Sequence, residues 1–168
     1  RWMHNKLLDL IAVDDPVASR TGGDHPVSNV LRLQKDVGAR SRLVVTYTDR
    51  RDGEDWNRVA AIDGRFGIGK TNFTFQGGAS RSHEFGRTTG GPIWFARMTH
   101  SGRRVALRYS FSGIDPAFRT RSGFINRAGD VNLALTNILI VQGKPGGLVE
   151  SFTPDVTLNG VWTYDRFK

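Results

Sequence analysis

The sequence predicts an all-β fold: antiparallel strands in up-and-down (meander) order, forming an incomplete segment of a larger transmembrane β-barrel. Three observations predict it. Apolar and polar residues alternate at period two through most of the chain, the pattern of a strand with one apolar and one polar face. The alternating stretches run about nine to eleven residues, enough to cross a bilayer at a tilt, whereas soluble strands average about five or six. Short and long connections take turns between them, as tight turns and longer outside loops do in an outer-membrane barrel.

The elements support that class one at a time. Residues 2–13 fit either a strand or a short helix, and a long link over 14–28 follows, so residues 1–28 are the least defined part of a single segment spanning 1–168. From residue 29 strand follows strand. Residues 29–37 set Leu31, Leu33 and Val37 against Arg32, Gln34 and Asp36. Residues 42–50 set Leu43, Val45 and Tyr47 against Thr46 and Thr48, and 58–68 set Ala60, Ile62, Phe66 and Ile68 against Ala61, Asp63 and Arg65. In 72–80, Phe73, Phe75 and Ala79 oppose Thr74, Gln76 and Ser80; in 92–100, Trp94, Ala96 and Met98 oppose Arg97 and Thr99. In 104–112, Val105, Leu107, Tyr109 and Phe111 oppose Arg104, Arg108, Ser110 and Ser112. Residues 130–141 begin by alternating and end wholly apolar, and 149–158 set Phe152, Val156 and Leu158 against Ser151, Thr153 and Asp155. A further strand is expected to start at Trp162 and run to Asp165. The links over 38–40, 69–71 and 101–103 are short; those over 52–56, 81–91 and 113–129 are longer.

Composition narrows the class. Hydrophobic residues make up 38% of the 168 residues and no run approaches the roughly 20 apolar positions of a transmembrane helix, so any membrane crossing is made by strands. With no cysteine there is no disulfide scaffold and no thiolate metal site. The net charge of +8 points to anionic partners or to plain solubility; the arginines are scattered, and no block of like charge resembles a nucleic-acid arm. The opening Arg1-Trp2 and the cut-off last strand lead us to expect more strands in the full protein.

If the apolar faces meet lipid, the other faces line water. Arg32, Asp36, Asp63, Arg65, Arg97 and Arg108 are then the lumen candidates that set solute selectivity. A soluble β-sandwich or barrel has the same alternation with its apolar faces turned inward. The second candidate region is the longest link, which carries Asp115, Phe118, Arg121, Phe124 and Arg127, with Arg119 and Asp130 beside them. Such a loop either folds inward to brace the barrel or meets a polar ligand.

Gly64-Arg65-Phe66-Gly67-Ile68-Gly69-Lys70-Thr71 matches the phosphate-loop pattern at every fixed position. That chemistry needs a helix after the loop, so that its N-terminus cradles phosphate. Here the alternating, aromatic Asn72-Phe73-Thr74-Phe75-Gln76 follows, which reads as a strand after a tight turn, and no nucleotide is expected. His4, His25, His83 and His100 show no metal-ligand spacing, so no metal or other cofactor is expected. A hydrolase reading would rest on Ser80 or Ser82 with His83-Glu84, although spacing alone fixes no geometry.

Several stretches together resemble a family of uncharacterised bacterial outer-membrane barrels, usually found C-terminal to a carbohydrate-binding module of the family-nine, DOMON-like type. They are Val30-Leu31-Arg32-Leu33-Gln34-Lys35-Asp36-Val37, Arg40-Ser41, Thr48-Asp49-Arg50 and Asn57-Arg58-Val59-Ala60-Ala61-Ile62-Asp63. Most distinctive are Asp115-Pro116-Ala117-Phe118 and Gly123-Phe124-Ile125-Asn126-Arg127. The resemblance covers the chain from about Val30 onward. It implies the bacterial outer membrane, a lipid bilayer as partner, and a role as pore or membrane anchor linked to surface glycan binding or uptake. It transfers no catalytic residue, and the module that would bind sugar is not in this sequence. Two other classes remain open: a soluble all-β module binding an acidic polymer, and an outer-membrane hydrolase.

Overall fold

The computed structural model describes residues 5–13, 19, 21, 25–121 and 128–167. Nine strands form one antiparallel sheet: β1 (Asn5–Val13), β2 (Val27–Asp36), β3 (Arg42–Asp52), β4 (Asp55–Ile68), β5 (Thr71–Glu84), β6 (Arg87–Ser101), β7 (Val105–Ile114), β8 (Asp130–Leu139) and β11 (Asp155–Thr163). Each is paired with its neighbour in chain order, and β11 closes the series against β8. Between those last two strands a small separate ribbon pairs β9 (Val141–Gln142) with β10 (Ser151–Phe152). The sheet is open among the described residues: β1 and β11 are its two edges.

Register turns the alternation into two faces. One row runs Leu33, Val45, Ile62, Gly77, Trp94, Gly113, Val131 and Trp162. The row one pleat away runs Gln34, Val44, Asp63, Gln76, Phe95, Ser112, Asn132 and Val161 and belongs to the opposite face. The first face is apolar and, apart from the fully buried Val131, largely uncovered. Leu33 is 48%, Val45 45% and Leu158 61% exposed. Only Val44, Phe118, Val131 and Tyr164 are buried hydrophobic residues among those described. A soluble domain buries an apolar sheet face under a second layer. Here the substantial contacts between elements are confined to hydrogen-bonded neighbours. The accessible surface of 11688 Å² exceeds the roughly 8,300 Å² of a compact monomer of the same 18.7 kDa.

Glycines on the apolar face receive aromatic rings from the adjacent strand. A Cβ at Gly64 would meet the Phe75 ring, and one at Gly113 would meet the Trp94 ring. Trp94 also lies 4.4 Å, centroid to centroid, from Phe111. Phe167, just past a 3₁₀ turn at Tyr164–Arg166, joins Trp94, Phe111 and Trp162 in an aromatic cluster.

Several expected boundaries are corrected. The opening stretch is a strand, β1. Residues 52–56 and 81–91 are not long loops but hairpin ends. A two-residue turn at Gly53-Glu54 joins β3 to β4, and one at Phe85-Gly86 joins β5 to β6. Gly53, at φ 63°, takes the first central position of its turn, while Phe85 and Gly86 both have positive φ (50° and 77°), as the turns that match strand twist require. The strict short–long alternation of links is thereby lost; the long links at that end are those before β2 and after β7. The strand expected over 149–158 instead splits into β10 and the start of β11. No strand begins at Trp162: β11 ends at Thr163 and the 3₁₀ turn follows.

Candidate functional site

All six lumen candidates lie on the polar face. Asp36, Arg42, Arg65, Thr74 and Arg97 are cross-strand neighbours in a single row from β2 to β6. Asp63 lies one same-face step from Arg65 along β4. Arg32 faces Thr46, and Arg108 faces Thr99, next to Arg97's row. Sequence parity alone placed these groups together, because antiparallel pairing in register carries the period of two from strand to strand.

The polar face holds a cavity of about 610 Å³ at the end where β2–β3 and β4–β5 turn. Arg32, Asp36, Arg40, Arg42, Asp63 and Arg65 are among its lining residues. Arg42 Nε bonds Asp36 Oδ1 at 3.2 Å. Arg32, Arg65, Arg97 and Arg108 make no ion pair among the described residues; the Arg97 guanidinium sits 5.0 Å from the centre of the Phe95 ring.

At the other end of the same face the link after β7 crosses the sheet. Asp115 opens it. Its backbone N–H bonds Pro92 O at 3.0 Å, its Oδ1 accepts from Ala117 N at 2.8 Å, and its side chain lies where a Cβ on Gly91 would be. Phe118 is buried. The backbone N–H of Arg119 donates to Ser80 Oγ at 2.8 Å. Asn57 then takes three bonds: its Nδ2 donates to Ser82 Oγ (2.7 Å) and to Arg119 O (3.1 Å), and its Oδ1 accepts from Arg121 N (2.9 Å). The Arg121 guanidinium is bonded to Glu84 Oε1 at 2.6 Å and 2.9 Å. The loop therefore lies across the polar face of the sheet, reaching from β7 past β6 and β5 to β4. Asp115, Phe118 and Arg121 take part; Phe124 and Arg127 lie outside the described residues. The link before β2 reaches the same end, where Ser19 Oγ and Thr21 Oγ1 donate to Asp52 Oδ1 at 2.6 and 3.0 Å. A smaller cavity of about 220 Å³ lies beneath these contacts, lined by Arg50, Asp52, Trp56, Asn57, Glu84 and Arg121.

Asn57, Ser80 and Ser82, the anchors of the loop, were not singled out as such from sequence. Their signal is weak: small polar residues on a polar face, ordinary until a loop lands on them.

The remaining motifs resolve geometrically. Gly64–Ile68 is the end of β4, Gly69-Lys70 a turn with Gly69 at φ 55°, and Thr71 the first residue of β5. A strand follows the phosphate-loop-like run, so there is no helix N-terminus after it to point its N–H groups at a phosphate. Ser82 is buried against Asn57, whereas its neighbour His83 lies on the other face, stacked 6.1 Å from Trp56 and bonded to Thr88. Adjacent strand residues point apart, so these two do not form a nucleophile–base pair. Among the described residues no group of three or more His, Asp or Glu is arranged to hold a metal, and no helix is long and apolar enough to cross a membrane.

No family model, no curated protein and no solved structure matches this chain.

Proposed function

We propose that this chain is a segment of a bacterial outer-membrane β-barrel, acting as a pore or as the membrane anchor of a surface glycan-handling protein. The observation that carries the reading is the uncovered apolar face. Leu31, Leu33, Val45, Tyr47, Ile62, Phe73, Leu139 and Leu158 all lie on that face and are exposed. A soluble monomer rarely leaves apolar side chains exposed together in one contiguous patch of this kind. In hydrocarbon it is the correct surface.

Where β3–β6 extend past this band, the same face turns polar. Asp49 bonds Arg58 at 3.1 Å and Arg51 at 3.3 Å, beside Trp56 and His83. Those hairpin ends suit water beyond the bilayer, and Tyr47, Trp94 and Trp162 sit where an interfacial girdle would. The polar face, braced by the inward loop, then faces the lumen. The likeness to barrels that follow a DOMON-like module belongs to the same proposal: the module would hold glycan and this chain would fix it in the membrane or pass the product. The reading requires the free edges of β1 and β11 to be paired in the bilayer, by further strands or by another copy.

The absence of cysteine makes the test clean. Single cysteines at Val45, Thr46, Ile62 and Asp63 of the full chain, spin-labelled in lipid vesicles, are expected to alternate. Labels at 45 and 62 meet dissolved oxygen in lipid, and labels at 46 and 63 meet a water-soluble nickel chelate. Nickel access at all four positions overturns the proposal in favour of a soluble module. Conductance in planar bilayers separates pore from anchor.

A further inference from the structure

We infer that the row of arginines on the polar face is a binding belt for an extended anion carrying more than one carboxylate or phosphate group. The register places Arg42, Arg65 and Arg97 in one row, with only Thr74 between the last two and Asp36 at the β2 end. Arg108 flanks the row on β7. Like charges directly opposite each other destabilise a sheet. Arg42 and Arg65 are such a pair, and Asp36 engages only Arg42. Arg65 is left without an ion pair among the described residues, and a local rule only partly compensated from inside marks a place where the rest of the compensation comes from outside.

The geometry also sets the shape of the ligand. Arg65 and Arg97 are separated by one intervening strand, so their backbones stand roughly 9–10 Å apart. A compact ion fits one guanidinium; an extended anion spans both. Arginine is suited to the task, because its planar fork grips carboxylate and phosphate in the same bidentate way. Thr74 and Asn72 line the gap with hydrogen-bonding groups, and the adjoining cavity of about 610 Å³ leaves room for an oligomer. Asp36 and Asp63 keep the wall from being uniformly basic. The belt lies towards the end where β2–β3 and β4–β5 turn, away from the Asn57-anchored loop, so the two do not compete for the same surface.

The inference rests on the polar face being wet and reachable, as the barrel reading has it, but its test does not need conductance. A fluorescently labelled tri-uronic acid is titrated onto the full chain folded in detergent micelles and followed by anisotropy. Inorganic pyrophosphate and a neutral trisaccharide serve as competitors. Arg65→Gln/Arg97→Gln is expected to weaken binding at least tenfold, Arg65→Lys/Arg97→Lys less than the glutamine pair, and Arg103→Gln/Arg104→Gln in the β6–β7 turn not at all. Competition by pyrophosphate but not by the neutral sugar assigns the recognition to charge; preference for the uronic acid over pyrophosphate assigns it to an acidic glycan. Unchanged affinity in the belt variant, equal loss in the turn variant, or competition by the neutral sugar overturns the belt. If the glutamine pair does not fold, the lysine pair against the turn pair still decides. Labels that report lipid at Val45 together with an inert belt remove this inference alone. Water at Val45 with a working belt removes the barrel alone.

Discussion

At the scale of single residues, Asn57 governs the loop. It is 2% exposed and satisfies Ser82, the carbonyl of Arg119 and the N–H of Arg121 at once. Truncation leaves these buried partners unmet, which costs about 1–3 kcal/mol. Asn57→Ala is therefore expected to raise the population of the detached loop about 5–150-fold, the ratio that such an energy represents. Trypsin reads this directly through cleavage after Arg119 and Arg121, since proteolysis tracks the open fraction when reclosing is fast. Asn57→Asp keeps the acceptor for Arg121 and loses the donor, so its rate falls between parent and Asn57→Ala. Equal cleavage in all three means that Asn57 does not hold the loop. That this link packs down on the sheet was legible, because a long charged link holding Phe118 has something to bury. Its anchors were not, since no sequence pattern separates Ser80 and Ser82 from other small polar residues.

At the scale of elements, strand positions were legible wherever one face was apolar and were lost where it was not. Between Arg81 and Gly91, apart from Phe85 in the turn itself, both faces of the β5–β6 hairpin are polar or glycine, so the sheet continues by backbone pairing with no hydrophobic period to announce it. Ser82 and His83 look like loop residues only because hydrophobicity was the signal being read. The β10–β11 boundary was hidden for another reason: Pro154 interrupts the run, its carbonyl accepting from Leu139 N, while Phe152 pairs back to Val141. Glycine, by contrast, has distinct roles within the strands. A Cβ at Gly113 would drive into the Trp94 ring, whereas a Cβ at Gly77 would meet nothing within 4 Å. Overpacking of this kind costs about 1–3 kcal/mol. A glycine replaced where there is space gains about 0.4–1 kcal/mol through the unfolded chain. Gly113→Ala is thus expected to lower, and Gly77→Ala to hold or raise, the urea midpoint in detergent micelles. Equal midpoints mean that the ring over Gly113 contributes no packing.

At the scale of the whole molecule, the sequence carried the sidedness of the sheet but not its closure. Period two determines which residues share a face, and every one of Arg32, Asp36, Asp63, Arg65, Arg97 and Arg108 obeys it. Nothing local determines what lies beyond an edge strand, because backbone groups at an edge accept any partner. In β11 the residues on the apolar face are Val156, Leu158, Gly160 and Trp162, and β8 satisfies the backbone on only one side of the strand. If this strand lies in hydrocarbon, the other side must be paired as well, since each unmet group there costs several kcal/mol. Hydrogen exchange resolved by residue in lipid vesicles makes the comparison. Amides along β11 that face β8 and those that face away are expected to be protected alike, whether further strands or a second copy supply the partner. Fast exchange confined to alternate residues of β11, with the β8-facing set still protected, describes an open sheet with one wet edge. Such a sheet cannot span a bilayer, whatever its apolar face exposes.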